Sequence, residues 1–512
     1  MRFLSLIVLA PLLGGSAVLR GQTRDENWKL CGGNDPDRAI EACSALIQSG
    51  QPSGKDLAIA FYGRGSAYAR KGDYDRAIQD YAQTLRLSPH LANAFYGRGW
   101  AYGREGDYDR AIQDFDQALR LNPNLADAFR ERGIAYTHKN EYDRAIQDYD
   151  QALRVNQSDA ISLFDRGLAF AHKGDYARSI EDYDQALRLN PNFSEAFYAR
   201  GLANKHKGDD DRAIQDYNQA LRINPSYADA LSSRGLVYAH KGDIDRAMQD
   251  YDQALRLNPN SADAFYGRGL AYGHKGDHEH AIQDYDQALR LDPNFTYAFY
   301  SRGRSYEHKG DYDRAIQDYD QALRINPNYT DAFIARGNAL AQKHYYDRAI
   351  QDFDRALRLN PDSADAFYNR GRTYEYKRDY DRAISDLDQA LRLKPSDADA
   401  FDLRGWAYAQ KGNFDRAIQD YNQAIRFNRS NANAFHNRSL AYAHKGDHLR
   451  AMADNCRVLW LKSGILGIVI PLCILALAVV CVYGIRFQRF GKGRRHSEQP
   501  LTGIFNSIFP GR

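Results

Sequence analysis

Apolar and small residues along this chain follow a helical rhythm nested inside a longer one. Counted from 1 at Ala92, the stretch "ANAFYGRGWAYGREGDYDRAIQDFDQALRLNPNL" has them at positions 3, 4, 8, 10 and 11, then at 17, 20, 21, 24, 27, 28 and 30. Each set falls on one face at α-helical spacing. Between the sets, Gly106 suits the left-handed residue that ends one helix and Asp107 suits the cap of the next. Pro123 stops the second helix. The pattern therefore predicts two antiparallel helices with short turns. It returns every 34 residues, in units beginning at Ala58, Ala92, Ala126, Ala160, Ser194, Ala228, Ala262, Thr296, Thr330, Ala364, Ala398 and Ala432. One hairpin cannot bury its apolar stripe alone, whereas stacked hairpins can, so stability is expected to grow by nearest-neighbour interfaces.

Small residues recur where these helices should touch. Position 8 is Gly and position 20 is Ala in all units but one each. Gly99, Ala111 and Ala118 let the backbones approach, and Phe95, Tyr102 and Phe115 fill the space around them. With an aromatic at 4, Gly at 8, Tyr at 11, Ala at 20, an aromatic at 24, Ala at 27 and Pro at 32, the unit resembles the tetratricopeptide repeat (TPR) family. The resemblance covers residues 58 to about 460. It implies an all-α fold: a right-handed superhelical solenoid of about twelve 34-residue helix-turn-helix units over 58–463, preceded by a capping hairpin over 22–57. The family's concave face binds partners, mainly through the first helix of each unit. One departure is systematic. Position 7, usually Leu in the family, is Arg in every unit, and position 23 is Asp in every unit. These positions should face each other, which predicts a repeated structural ion pair such as Arg302 with Asp318.

The second helix barely changes between units, while the first changes at positions 5, 6, 9 and 12. By the family's geometry, 5, 9 and 12 look into the groove. The ligand-groove candidates are therefore Tyr96, Trp100, Tyr198, Tyr266, Tyr300, Arg304, Tyr368, Arg372 and Trp406; aromatic and arginine side chains often anchor interfaces. A constant frame with a varied inner face suits a non-enzymatic scaffold that binds an extended peptide or a protein surface. The alternative is glycan binding in envelope or exopolysaccharide assembly, because aromatic groove residues stack on sugars too. Position 5 carries no Lys and position 9 has one Asn, Asn338, so the family's clamp for a terminal carboxylate is not expected.

Apparent chemistry dissolves on inspection. His138, His172, His206, His240, His274, His308 and His444 share position 13, but a hairpin separates neighbouring rungs by about 10 Å and a metal needs ligands at about 2 Å. "HK" there complements the C-terminal helix dipole. The cluster His274, His278 and His280 is interrupted by the Gly276 turn. "GRGWAYG" at Gly97 lies inside a predicted helix and follows no strand, so it does not meet the needs of dinucleotide binding. No nucleophile-and-base set stands out, and no cofactor, metal site or enzyme is expected. Formal net charge is +3, yet with the two ends set aside acidic residues slightly outnumber basic ones, which argues against nucleic acid.

The ends suggest an address. Residues 1–21 contain a basic start at Arg2, an apolar run from Phe3 to Leu13 and small residues at Gly15 and Ala17, the form of a secretory signal peptide. Residues 464–485 are uncharged and, as a helix, span about 33 Å, enough to cross a bilayer. The basic tail 486–512 places the C-terminus in the cytoplasm by the positive-inside rule. With the bacterial style of the resemblance, this predicts a single-pass inner-membrane protein with a periplasmic array. In that oxidising compartment Cys31 and Cys43 are expected to pair across a short helical hairpin.

Overall fold

The structure, a computed structural model, describes residues 24–463. The signal segment, the membrane span at 464–485 and the basic tail expected above lie outside the described residues. Among the described residues every regular element is a helix, and no helix is long and apolar enough to cross a membrane. The chain divides into two compact bodies, at residues 260 and 261. The first contains α1 Arg24–Cys31, α2 Pro36–Gln48, α3 Lys55–Arg70, α4 Tyr74–Leu87, α5 Ala92–Glu105, α6 Tyr108–Leu121, α7 Ala126–His138, α8 Tyr142–Val155, α9 Ala160–His172, α10 Tyr176–Leu189, α11 Ser194–His206, α12 Asp210–Ile223, α13 Ala228–His240 and α14 Ile244–Leu257. The second contains α15 Ala262–His274, α16 His278–Leu291, α17 Thr296–His308, α18 Tyr312–Ile325, α19 Thr330–Gln342, α20 Tyr346–Leu359, α21 Ala364–Tyr376, α22 Tyr380–Leu393, α23 Ala398–Gln410, α24 Phe414–Phe427, α25 Ala432–His444 and α26 His448–Ser463.

Each body is a stack of hairpins in which a helix packs on its sequence neighbours. The turn chemistry is local. Gly106 takes φ 85° and closes α5, and the Asp107 carboxylate accepts the Arg110 backbone N–H at 3.0 Å to cap α6. Three turns hold the same left-handed residue without glycine: Asn140, His344 and Arg378, at φ 60°, 63° and 59°. Two of these gain a local bond. The Tyr142 hydroxyl donates to Asn140 at 2.7 Å, and His344 Nδ1 lies 2.7 Å from the Tyr346 hydroxyl.

The core of each repeat is one contact between position 8 and position 24. A Cβ built on Gly303 would lie 2.7 Å from Tyr319 Cε1, closer than carbon atoms approach, so the buried ring fits only over glycine. The fit varies between repeats: Tyr251 stays 3.2 Å from a Cβ built on Gly235. Leu387 comes no nearer than 3.1 Å to a Cβ on Gly371. In the last repeat Asn455 replaces the ring, and Ser439 stands at position 8 with its hydroxyl 2.9 Å from Asn455 Oδ1.

Above this contact Arg302 forks onto Asp318, with Nε and Nη2 at 2.8 and 2.6 Å. The same fork occurs in every repeat, from Arg64–Asp80 through Arg98–Asp114 to Arg438–Asp454. In most repeats the third guanidinium nitrogen reaches back to position 25 of the preceding repeat, as in Arg166–Asp150 and Arg404–Asp388, both 2.6 Å. Asn218 and Asn422 serve the same purpose for Arg234 and Arg438. One arginine thus closes its own hairpin and ties it to its neighbour. Burial lifts the Asp318 carboxyl above its ordinary value against the pull of Arg302.

At the N-terminal end, Cys31 and Cys43 form a disulfide, S–S 2.06 Å, joining α1 to α2. A Cβ on Gly63 of α3 would meet the two sulfurs at 3.0 and 3.3 Å, so the bridge seats this hairpin on the first repeat. Helix α3 starts at Lys55, ahead of the boundary at Ala58 read from the periodicity, because the break comes at Gly54, where φ is 56°.

Candidate binding face

The varied positions of the first helices meet across the seam between adjacent repeats. Position 5 of one repeat faces position 6 of the next: Tyr198 and Ser233 approach at 3.4 Å, Tyr266 and Ser301 at 3.5 Å, and the Asn437 amide donates to Asp402 at 3.0 Å. Position-5 rings are half-buried wedges. Tyr198 lies 5.9 Å from Tyr217 and 4.9 Å from Tyr227. Tyr266 is held likewise by Tyr285 and Phe295, and Tyr300 by Tyr319 and Tyr329. Tyr96 tilts over Phe115 at 6.0 Å. Burial pushes the Tyr266, Tyr300 and Tyr368 phenols up. At position 5 these groove candidates also serve the frame. Much of each ring packs the solenoid, because it fills the gap between its own second helix and the following loop.

Position 9 is more open. Arg304 is exposed, with its guanidinium 3.7 Å from Glu307, which itself accepts the Tyr319 hydroxyl at 3.0 Å. Trp406 donates its indole N–H to Glu375 of the preceding repeat at 3.0 Å. Arg372 lies over Tyr368 at 5.8 Å, and its Nε is buried without a hydrogen-bond partner. Trp100 meets the edge of Tyr74 at 5.8 Å and carries Arg104 at 5.6 Å. The structure brings Tyr368, Arg372, Glu375 and Trp406 into one neighbourhood. Trp100 sits with Tyr74 and Arg104 in the other body.

The histidine ladder has a geometry that reasoning from the helix dipole missed. His138, His172 and His206 stack flat on Tyr108, Tyr142 and Tyr176 of the preceding repeat, at 4.7, 5.2 and 4.8 Å. Where Asp210 replaces that tyrosine, His240 Nδ1 lies 2.7 Å from its carboxylate. His278 stacks on His308 at 4.5 Å. Among the described residues no group of three or more His, Cys, Asp or Glu could hold a metal ion.

Sequence reasoning also passed over Arg130, Glu131 and Asp165. Positions 5 and 6 carry aromatic or small residues in most repeats, but here they carry charge. Arg130 donates to Glu131 at 3.2 Å and lies 3.8 Å from Asp127. Asp165 Oδ2 and Arg130 Nε are both buried without a hydrogen-bond partner. The departure from the repeat was itself the available signal.

Paired helices of constant second-helix sequence, ring-on-glycine cores and a varied first-helix face define a helical-hairpin repeat protein. The Tetratricopeptide repeat family model matches residues 96–161, 139–192, 164–228, 334–398, 368–434 and 403–458, just over half of the chain. Further Tetratricopeptide repeat models match 56–124, 262–295 and 296–329, and a TPR repeat model matches 235–276. The chain belongs to the tetratricopeptide repeat family. No curated protein matches it. Similar solved structures include a tetratricopeptide repeat protein from Parabacteroides merdae, 20% identical, covering 48% of this chain and 98% of that one, TM-score 0.41. YrrB, described as a TPR protein with an unusual peptide-binding site, is 25% identical over 37% of this chain and 98% of its own, TM-score 0.32. Yeast Tom70 is 16% identical over 77% and 96%, TM-score 0.36.

Proposed function

We propose that this protein is a non-enzymatic scaffold, anchored in a bacterial inner membrane with its repeats in the periplasm, that binds extended peptide or protein segments along the first-helix face. The observation that carries the binding part is the contrast between an invariant frame and a varied face. The Arg–Asp fork repeats in every unit and the ring-on-glycine contact and capped turns in most, while Trp100, Arg304, Arg372 and Trp406 stand at a position that varies from repeat to repeat. Tryptophan and arginine are the side chains that most often dominate interface energetics. The address is supported by the apolar N-terminal run, the uncharged 464–485 segment, the basic residues behind it and the Cys31–Cys43 bridge.

Two experiments test the two parts. Capture of partners from envelope extracts should be lost with Arg304→Ala and Trp406→Ala while the fold persists; unchanged capture by both variants refutes the binding face. Protease treatment of spheroplasts should digest the array and spare an epitope placed after Arg512. Protection of the array refutes the periplasmic address.

A further inference from the structure

The seam between α7 and α9 is unlike the others in its charge. Arg130 occupies position 5 of α7 and faces Asp165, at position 6 of α9; Glu131 is its own neighbour in α7. Asp127 of α7 and Asp159 at the cap of α9 complete the surroundings, with Arg104 of α5 acting on Glu131 from the other side. Asp159 is already engaged, accepting the Ile161 N–H at 3.0 Å and the Ser162 hydroxyl at 2.6 Å. Arg130 spends one nitrogen on Glu131 at 3.2 Å. Its Nε has no partner, and neither does Asp165 Oδ2; both atoms are buried. A buried carboxylate oxygen without a donor is destabilising, the more so because the group can ionise. Four carboxylates share two guanidinium groups, so the seam is short of positive charge. Burial, with the nearby Glu131 and Asp159 carboxylates, pushes Asp165 up to about 7 despite Arg130, as expected of a carboxyl that lacks its cation.

Glu131 and Arg130 keep about a fifth of their side chains exposed, so the seam opens on the varied face. Most other seams carry uncharged side chains at these places, and the one further carboxylate at position 5, Asp402, has the Asn437 amide donating to it at 3.0 Å, so the frame does not need the charge. We infer that the Arg130–Glu131–Asp165 seam is a subsite for a cationic side chain, a lysine or arginine of the bound peptide, held between the Glu131 and Asp165 carboxylates. The inference rests on the peptide-binding reading above and adds a ligand class to it. An ammonium or guanidinium supplies the donor that Asp165 Oδ2 lacks and balances the local charge, whereas an anionic or apolar side chain does neither.

The test is selection of a random decapeptide library on the full chain, in wild-type, Asp165→Asn and Glu131→Gln forms, with thermal unfolding as the check that each variant folds. The wild type should select one register with Lys or Arg at a fixed place, and both variants should keep that register but lose the basic preference. In a peptide so selected, replacing the basic residue by norleucine should weaken binding to wild type about 10- to 100-fold and to Asp165→Asn less than about threefold. A basic position still selected by both variants overturns the subsite and leaves the peptide-binding face standing, as does a wild-type register with no basic position. Failure of the wild type to select any peptide overturns the peptide-binding face, and the subsite with it.

Discussion

Replacing Arg302 by Met tests how the frame is held. Arg302 makes two charge-assisted bonds to Asp318, at 2.8 and 2.6 Å, and a third to Asp286 of the preceding repeat. Asp318 is only 4% exposed, whereas the Asp286 side chain keeps 37% of its surface. Methionine fills most of the volume of the arginine stem, so the loss is mainly electrostatic. Asp286 returns to water at little cost, as exposed pairs contribute at most about 1 kcal/mol. Asp318 cannot. Leaving one member of a buried pair alone costs about 3–5 kcal/mol, which is the expected loss in Arg302→Met. Replacing both members, Arg302→Met with Asp318→Leu, should return stability to within about 1–2 kcal/mol of wild type. A long repeat array does not unfold in two states, so the readout is native-state hydrogen exchange of the Gly303 to Tyr319 amides. The single variant also carries a pH signature. Its unpaired buried carboxyl holds a proton in the folded state, with a folded pKa above the unfolded value, so the variant loses stability as pH rises from about 4. A single-variant cost below about 1 kcal/mol, or a double variant as unstable as the single, would refute the account of the fork.

Three further outcomes follow from particular contacts. Gly303→Ala places a methyl 2.7 Å from Tyr319 and should cost about 1–3 kcal/mol by the same hydrogen exchange, and adding Tyr319→Leu should recover part of that, since a leucine at this place leaves 3.1 Å to the built Cβ in the Gly371–Leu387 repeat. Asp165 has a folded value of about 7, above its ordinary carboxylate value, so the folded state binds the extra proton. Its contribution to stability is then greatest at acid pH and declines as pH rises towards 7, by at most about 1.4 kcal/mol per pH unit; Asp165→Asn should flatten this part of the dependence in thermal melts run between pH 5 and 8. Cys43→Ser should cost about 3 kcal/mol, read as faster exchange confined to α1, α2 and the start of α3, with distant repeats unchanged.

Much of the fold is legible in the words of one repeat, because its determinants are local. Gly106 and Asp107 specify a turn whatever surrounds them, and the spacing of Ala111, Phe115 and Ala118 specifies which face of α6 is buried. Arg302 and Asp318 could be paired on paper since both belong to one hairpin of known hand. Contacts that join one repeat to the next were not legible. The third arm of Arg166 on Asp150, the stack of His172 on Tyr142 and the approach of Tyr198 to Ser233 all depend on how far one hairpin is offset from its neighbour. Periodicity says that repeats stack, but side-chain volumes at the seam set that offset. The same limit hid Arg130, Glu131 and Asp165. They lie in two helices that only stacking brings together, and burial, which no sequence pattern reports, is what turns three ordinary charges into a seam lacking a cation. The sequence by itself therefore determined the hairpin, its period and its internal pairing. The tertiary structure alone decided what the hairpins share, because a polar group's energy depends on which neighbours exclude water from it.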